Sequence, residues 1–326
     1  MQINKFLTSL LVVLLSIISI NASAKAGNSV QIIPAYNMQD YACDIQNLYA
    51  TVPGSHSRNL HERIISDSAY FLNKPYLNGA LGEGPNGKFD QSPLYRTDAF
   101  DCLTYVSTVL ALVKANNLSE FEQIIKKVNY QNGIVAFKTR NHFTQNDWNR
   151  SNAKNGYIED ITEQLRDQAG KSVALISCTL IDKSNWYAKL SERIKLLHAV
   201  SFRQGLALEQ SLRAQGRAMH SEASLVAYIP LTVLFDENKQ ANMFLFKQIP
   251  NASIIEIVRP NWDLTEAIGT HLDISHLGLV INTPQGLMFR NASSLQGKVA
   301  DVPLVDYLSH YLDSPTIKGI NIQRIK

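Results

Sequence analysis

Cys102 stands at the start of an apolar, helix-like run, Cys102-Leu103-Thr104-Tyr105-Val106, that continues STVLALVKAN. A thiol in the first turn of a helix lies where backbone N–H groups are unpaired and the field favours an anion. That setting lowers a cysteine pKa and makes a nucleophile. Asp101 beside it opposes ionisation unless its carboxylate is turned away as a cap, so a histidine base is needed. The alternative is an inert cysteine packed on an apolar helix face.

His276 is the best base, in Asp273-Ile274-Ser275-His276-Leu277-Gly278-Leu279-Val280. Strand alternation places Ile274, His276 and Gly278 on one face and Ser275, Leu277 and Leu279 on the other. Gly278 leaves room beside the imidazole. His271 is the runner-up, and a histidine merely satisfied within a sheet is the alternative. An imidazole base needs a third group to fix its tautomer. Asn291, in Phe289-Arg290-Asn291-Ala292-Ser293, lies on the return strand of a proposed hairpin and can face His276; a plain turn asparagine is the other reading.

These residues need elements to hold them. Leu103, Val106, Leu110 and Val113 recur at helical spacing, with Asp98 or Asp101 as N-cap and Asn116-Asn117 as the end. Residues 58–73 form a second helix capped by Asn59, and residues 74–96 a loop rich in Gly and Pro. Ser119 and Glu122 make a capping-box pattern opening a further helix. Residues 131–162 are polar and aromatic and predict a long ordered loop with a short strand at IVAF. Strands follow near 173–180, 224–235 and 252–259, with a helical stretch SNWYAKLSERIKLLHAV after the first. ISHLGLVIN and LMFRNAS flank the turn-like Thr283-Pro284-Gln285-Gly286, and LVDYLSHYL is a last short helix. Helices first and strands later favour α+β over a doubly wound parallel sheet.

Lys5, the apolar run Phe6 to Ile20 and the small-x-small Ala22-Ser23-Ala24 match a secretory signal peptide over residues 1–24. The chain is therefore expected in the periplasm or outside the cell. Residues 25–57 read as a loosely attached N-terminal arm, and 58–326 as a single domain. With 45% hydrophobic and 18% charged residues the composition is that of a globular chain. No second apolar run is long enough to cross a bilayer, so stable membrane insertion is not expected. The net charge of +3, without a dense basic block, argues against nucleic acid as a main ligand. Of three cysteines, Cys43 and Cys178 are the pair left to bridge if Cys102 stays free; reduced, buried thiols are the equal alternative.

Taken together, Tyr95-Arg96-Thr97-Asp98-Ala99-Phe100-Asp101-Cys102-Leu103-Thr104, Arg140-Asn141-His142-Phe143 with Asp147-Trp148, Asp160-Ile161-Thr162, Ser275-His276-Leu277-Gly278 and Asn291-Ala292-Ser293 resemble a family. It is the N-acetylmuramoyl-L-alanine amidase-like branch of bacterial secreted cysteine hydrolases, related to the NlpC/P60 cell-wall group. The resemblance spans roughly residues 60 to 315. It implies a papain-like α+β fold, with the nucleophile helix packed on an antiparallel sheet. It also implies cleavage of peptidoglycan amide bonds without a metal or other cofactor. Cys102 matches the nucleophile and His276 the base; Asn291 stands where such proteins often carry histidine. Residues 165–250 match nothing in the family pattern and read as an insertion. Tyr95 is a candidate oxyanion donor, and Arg96, Arg140, His142 and Trp148 are candidates to bind a carboxylate-bearing, sugar-linked peptide. The expected partners are peptidoglycan or muropeptide fragments, met by a monomer. The bond cut is either muramoyl–L-Ala or D-Glu–diamino acid. An acyltransferase on the same scaffold, a zinc amidase using His142, His276 and a carboxylate, and a non-catalytic wall-binding module are the rivals.

Overall fold

Helix α3, Cys102–Lys114, is the centre of the molecule: every residue from Thr104 to Val113 is buried. Val106, Val109, Leu110 and Leu112 are fully buried, each contributing about 1.5–3 kcal/mol of apolar burial. The computed structural model describes residues 30–57, 59–189 and 194–326. The signal-peptide segment 1–24 lies outside these residues.

Among the described residues five helices are ten residues or longer: α1 (Met38–Thr51), α2 (Leu60–Ala69), α3, α4 (Leu118–Asn129) and α5 (Phe202–Gly216). α1 corrects the reading of residues 25–57 as a loose arm. Its Tyr41, Ile45, Leu48 and Tyr49 join the core around α3, and the Tyr49 hydroxyl donates to the Leu112 carbonyl at 3.0 Å. Asn59 caps α2 as expected, accepting from the His61 N–H. α4 is capped by Asn117, which accepts from the Glu120 N–H, so the Ser119–Glu122 box does not form. Asparagine is as good a cap as serine, and here it comes two residues earlier.

Among the described residues the ten strands are β1 (Val30–Ile32), β2 (Ile158–Asp160), β3 (Leu175–Asp182), β4 (Ile194–Leu196), β5 (Ser221–Pro230), β6 (Ile254–Leu264), β7 (Thr270–Thr283), β8 (Gly286–Ser293), β9 (Lys298–Pro303) and β10 (Gly319–Ile325). Eight form one antiparallel sheet in the order β3-β5-β10-β6-β7-β8-β9, with β2 also on β10; β1 and β4 make a small parallel pair. The expected mixture of α and β with an antiparallel sheet is what the chain adopts. The run Ile254-Ile255-Glu256-Ile257-Val258 is buried on both faces, because the sheet has a core on each side. Ile254, Leu277, Leu279 and Ile281 pack with α3; Ile255, Ile257, Val280 and Phe289 pack with Leu304, Leu308 and Ile320.

The hairpin turn at Thr283-Pro284-Gln285-Gly286 is as expected, with Thr283 opposite Gly286. Two local expectations fail. IVAF is no strand: Phe137–Thr139 is a 3-10 turn and Thr144–Asn149 a π-helical turn. The predicted helix from Ser184 to Val200 is a short helix, Lys183–Ala188, and then β4. The unexpected long helix, α5, begins at a Ser201–Gln204 capping box. Within residues 165–250, β3 and β5 are strands of the main sheet.

Candidate active site

The tip of α3 is built by Asp101. Its Oδ1 accepts from the Thr104 N–H at 2.8 Å, while Thr104 Oγ1 accepts from the Asp101 N–H at 2.9 Å. Of the two candidate caps the structure selects Asp101. Its second oxygen accepts from the Ala80 N–H at 3.2 Å, which ties the Gly- and Pro-rich loop to the helix. Cys102 follows at the first helical position, partly exposed and free.

β7 brings His276 to the same place. The Leu277 N–H, one residue beyond His276, stabilises the charged form of Cys102, together with the N–H groups of Leu103 and Cys102 itself. Asp101 acts on both side chains: its charge raises the Cys102 pKa and the His276 pKa. Tyr307 stands beside both, its ring 6.3 Å from the His276 ring and within the field of the Cys102 sulfur. Thiol and imidazole thus converge at the junction of the α3 tip with β7, and both are partly exposed.

Strict alternation does not place His276. Ile257 pairs with His276 but Val258 pairs with Ile274, so Ser275 is a bulge. The bulge puts Ile274 and His276 on opposite faces, against the sequence expectation. Leu277 and Leu279 pack on α3, and His276 turns to the other side between Phe289 and Tyr307. Bulges re-aim a side chain in this way.

The tautomer of His276 is fixed by Asn291. Asn291 Nδ2 donates to the Phe289 carbonyl at 3.2 Å, which leaves Oδ1 facing His276 Nε2 at 3.0 Å. An amide oxygen only accepts, so Nε2 carries the hydrogen and Nδ1 keeps its lone pair. Gly278 makes this contact possible. A Cβ there would lie 2.8 Å from Asn291 Cβ and 2.7 Å from the Arg290 carbonyl oxygen. Burial lowers the His276 pKa below its ordinary 6.5, against the opposing effects of its hydrogen bond to Asn291 and the charge of Asp101. Burial and then Asp101 push the Cys102 thiol up to about 12, in spite of the helix N–H groups. Both shifts favour a neutral thiol and a neutral imidazole over the helix-stabilised thiolate expected from the sequence.

The proposed substrate-binding residues are not gathered here. The Tyr95 hydroxyl donates to Glu122 at 2.9 Å on α4, away from an oxyanion position. Trp148 is fully buried, its Nε1 donating to Ser107 at 3.0 Å, so no ligand can stack on it. Arg140 is paired with Asp90 at 2.9 Å and also donates to the Leu81 carbonyl. Arg96 makes a two-toothed pair with Asp98. The His142 ring lies 4.7 Å from both Phe137 and Trp186 in a separate aromatic cluster. Polar and aromatic residues in a long loop resemble ligand groups until their partners are seen. Conversely, Tyr76 and Tyr307 were missed, although each lies in the field of the Cys102 sulfur. Nothing in a lone loop tyrosine or a helical Tyr307–Tyr311 pair distinguishes it beforehand. All three cysteines are free; Cys43 and Cys178 are exposed, so neither the bridge nor burial holds. Among the described residues no group of three His, Cys, Asp or Glu side chains is placed to hold a metal ion.

A mixed α+β domain with a cysteine at a helix tip beside a histidine of an antiparallel strand defines a broad structural class. Within it, residues 66–315 match the AmiA-like, N-acetylmuramoyl-L-alanine amidase-like family, and the chain belongs to that family. Among solved structures it is similar to a Legionella pneumophila protein of the DUF1460 family, at 45% identity and TM-score 0.85, over 88% of this chain and 95% of that one. It shares its fold with a Bacteroides uniformis N-acetylmuramoyl-L-alanine amidase, at 23% identity and TM-score 0.56 over 82% and 99% of the two chains. The fold also recurs in a Bacteroides fragilis protein described as a putative xylanase, at 21% identity and TM-score 0.54, over 79% and 98%. No curated protein matches the sequence.

Proposed function

We propose that this protein is a peptidoglycan amidase that cleaves the N-acetylmuramoyl–L-alanine bond by cysteine chemistry, in a papain-like arrangement of the NlpC/P60 kind. The observation that carries the reading is the approach of Cys102 to the Leu277 N–H, one residue beyond His276, whose ring is held by Asn291 at 3.0 Å. Family membership supports peptidoglycan as the substrate class.

Because the resting pair is neutral, His276 Nδ1 takes the thiol proton as Sγ attacks the lactyl carbonyl. General base and nucleophile act in one step. The imidazolium that forms is stabilised by Asp101 and by the Asn291 oxygen accepting from Nε2. It then donates its proton to the departing L-Ala amine, leaving a thioester on Cys102. Water, deprotonated by the same imidazole, releases the muramoyl acid. The negative oxygen of each tetrahedral intermediate is met by N–H groups at the α3 tip, with the Tyr76 hydroxyl in the role the sequence suggested for Tyr95. The signal peptide reading places this activity in the periplasm or beyond, on peptidoglycan or its fragments.

Digestion of purified peptidoglycan, followed by mass analysis of the muropeptides, tests the proposal. Free stem peptides and unsubstituted N-acetylmuramic acid ends should appear with the natural enzyme and vanish with Cys102→Ala. Products cut between D-Glu and the diamino acid would instead assign it as an endopeptidase. Activity that persists in Cys102→Ala would overturn the cysteine mechanism.

A further inference from the structure

We infer that Arg259 is the anchor for a carboxylate of the substrate's peptide; this rests on the amidase reading and names the feature of the substrate it selects. Arg259 leaves the β6 ladder two residues after Ile257, the residue opposite His276. The register slips between Val258 and Trp262, so Arg259, Pro260 and Asn261 bulge out of the sheet beside the Ser275 bulge that aims His276. Asn261 holds this bulge with a left-handed φ of 51° and donates its N–H to Thr179 Oγ1 at 3.0 Å.

The guanidinium is held flat. Its Cζ lies 3.7 Å from the centre of the Trp262 ring, and its Nε donates to Thr316 Oγ1 at 3.0 Å. Thr316 belongs to the segment that follows Tyr311. The Tyr311 ring is 5.3 Å from Tyr307, and the Tyr307 ring is 6.3 Å from His276. A line of rings thus leads from the imidazole towards the guanidinium, which lies in the field of both tyrosines.

What this line lacks is an acid. The other arginines offered by the sequence have theirs: Asp98 for Arg96 and Asp90 for Arg140. Among the described residues Arg259 has no carboxylate partner and its terminal nitrogens have no acceptor. It is half-buried, and burial lowers its pKa with only the two tyrosines opposing. A partly desolvated cation without a counter-ion is costly to keep. A planar fork, stacked and fixed at Nε with its outer donors open, suits bidentate capture of a carboxylate. Stem peptides carry such groups on the leaving side of the muramoyl–L-Ala bond. The site therefore favours peptides with free carboxylates over amidated ones.

Binding to the full-length Cys102→Ala protein tests this apart from catalysis. The probes are a disaccharide tetrapeptide and the same molecule with its carboxylates converted to carboxamides, measured by calorimetry. The acid form should bind about ten- to a hundred-fold more tightly, the range expected for hydrogen bonds to charged groups. Adding Arg259→Gln should abolish the preference, and Arg259→Lys should keep part of it, with unchanged melting temperature. A structural role alone would weaken both probes equally. No preference in the parent protein, or a preference that survives Arg259→Gln, overturns the inference. Failure of the active enzyme to cleave the tetrapeptide would count against the amidase reading instead.

Discussion

At the scale of single residues, Cys102 shows two fields in opposition. The helix tip offers N–H groups that favour the anion, but Asp101, which caps that tip, is itself an anion. The cap carboxylate and burial prevail, holding the thiol up at about 12. A neutral pair needs no preformed thiolate, only a base with a free lone pair at Nδ1. The expected pH–rate profile then rises through a pKa below 6.5, where His276 loses its proton, and stays flat into alkaline pH. Asp101→Asn keeps a capping oxygen while removing the charge. It should lower the thiol pKa, seen as thiolate absorbance at 240 nm appearing at lower pH than in the natural protein. It should also lower the His276 pKa, moving the acid limb of the profile down. An unchanged thiol titration would mean that Asp101 is not part of the balance.

At the scale of elements, the imidazole is aimed by irregularities in a regular ladder. The Ser275 bulge reverses the face on which His276 stands, and Gly278 lets Asn291 close on it. Neither device is a property of the α3 helix, yet the proposed chemistry of Cys102 depends on both. Gly278→Ala forces the new Cβ against Asn291 Cβ, the Phe289 ring and the Arg290 carbonyl, all within 2.8 Å. Overpacking of this kind costs about 1–3 kcal/mol. The expected result is a melting temperature lower by several degrees and a larger loss in kcat than in binding, because Asn291 is displaced from Nε2. Full activity in a folded Gly278→Ala protein would show that the Asn291 contact is dispensable.

At the scale of the whole molecule, the sheet separates two cores, and one acid is sealed beside the α3 side. Glu256 is fully buried opposite Leu277 and Asn321; one oxygen accepts from Asn149 Nδ2 at 2.9 Å and the other has no partner. Burial, with the charges of Asp160 and Asp273, raises its pKa from 4.5 to about 8. A raised carboxyl pKa favours folding fully below the unfolded value and loses that contribution as pH rises towards the folded value. Between pH 5 and 8 the natural chain should therefore lose stability through this group. Glu256→Gln keeps the Asn149 bond and does not titrate. Its melting temperature relative to the natural protein should climb steadily across that interval. A difference that stays constant with pH would show that Glu256 does not titrate in the way its surroundings imply.

The sequence by itself determined the candidate positions for chemistry and most of their local elements. A cysteine after an acid at the head of an apolar helix, a histidine two residues before a strand glycine, and an asparagine on the return strand are local patterns. Periodicity and turn residues register such patterns directly. The helix cap, the hairpin turn and the α+β class came from the same local physics. What only the tertiary structure decided was everything that depends on partners far along the chain. The fate of Tyr95, Arg140, His142 and Trp148 was set by Glu122, Asp90, Trp186 and Ser107, and no spacing rule selects those pairs. The bulge that turns His276, the core packing of α1 and the open guanidinium of Arg259 likewise emerge only when separate segments meet. A side chain's type fixes what it can do; burial and neighbours, which are non-local, fix whether it remains available to do it.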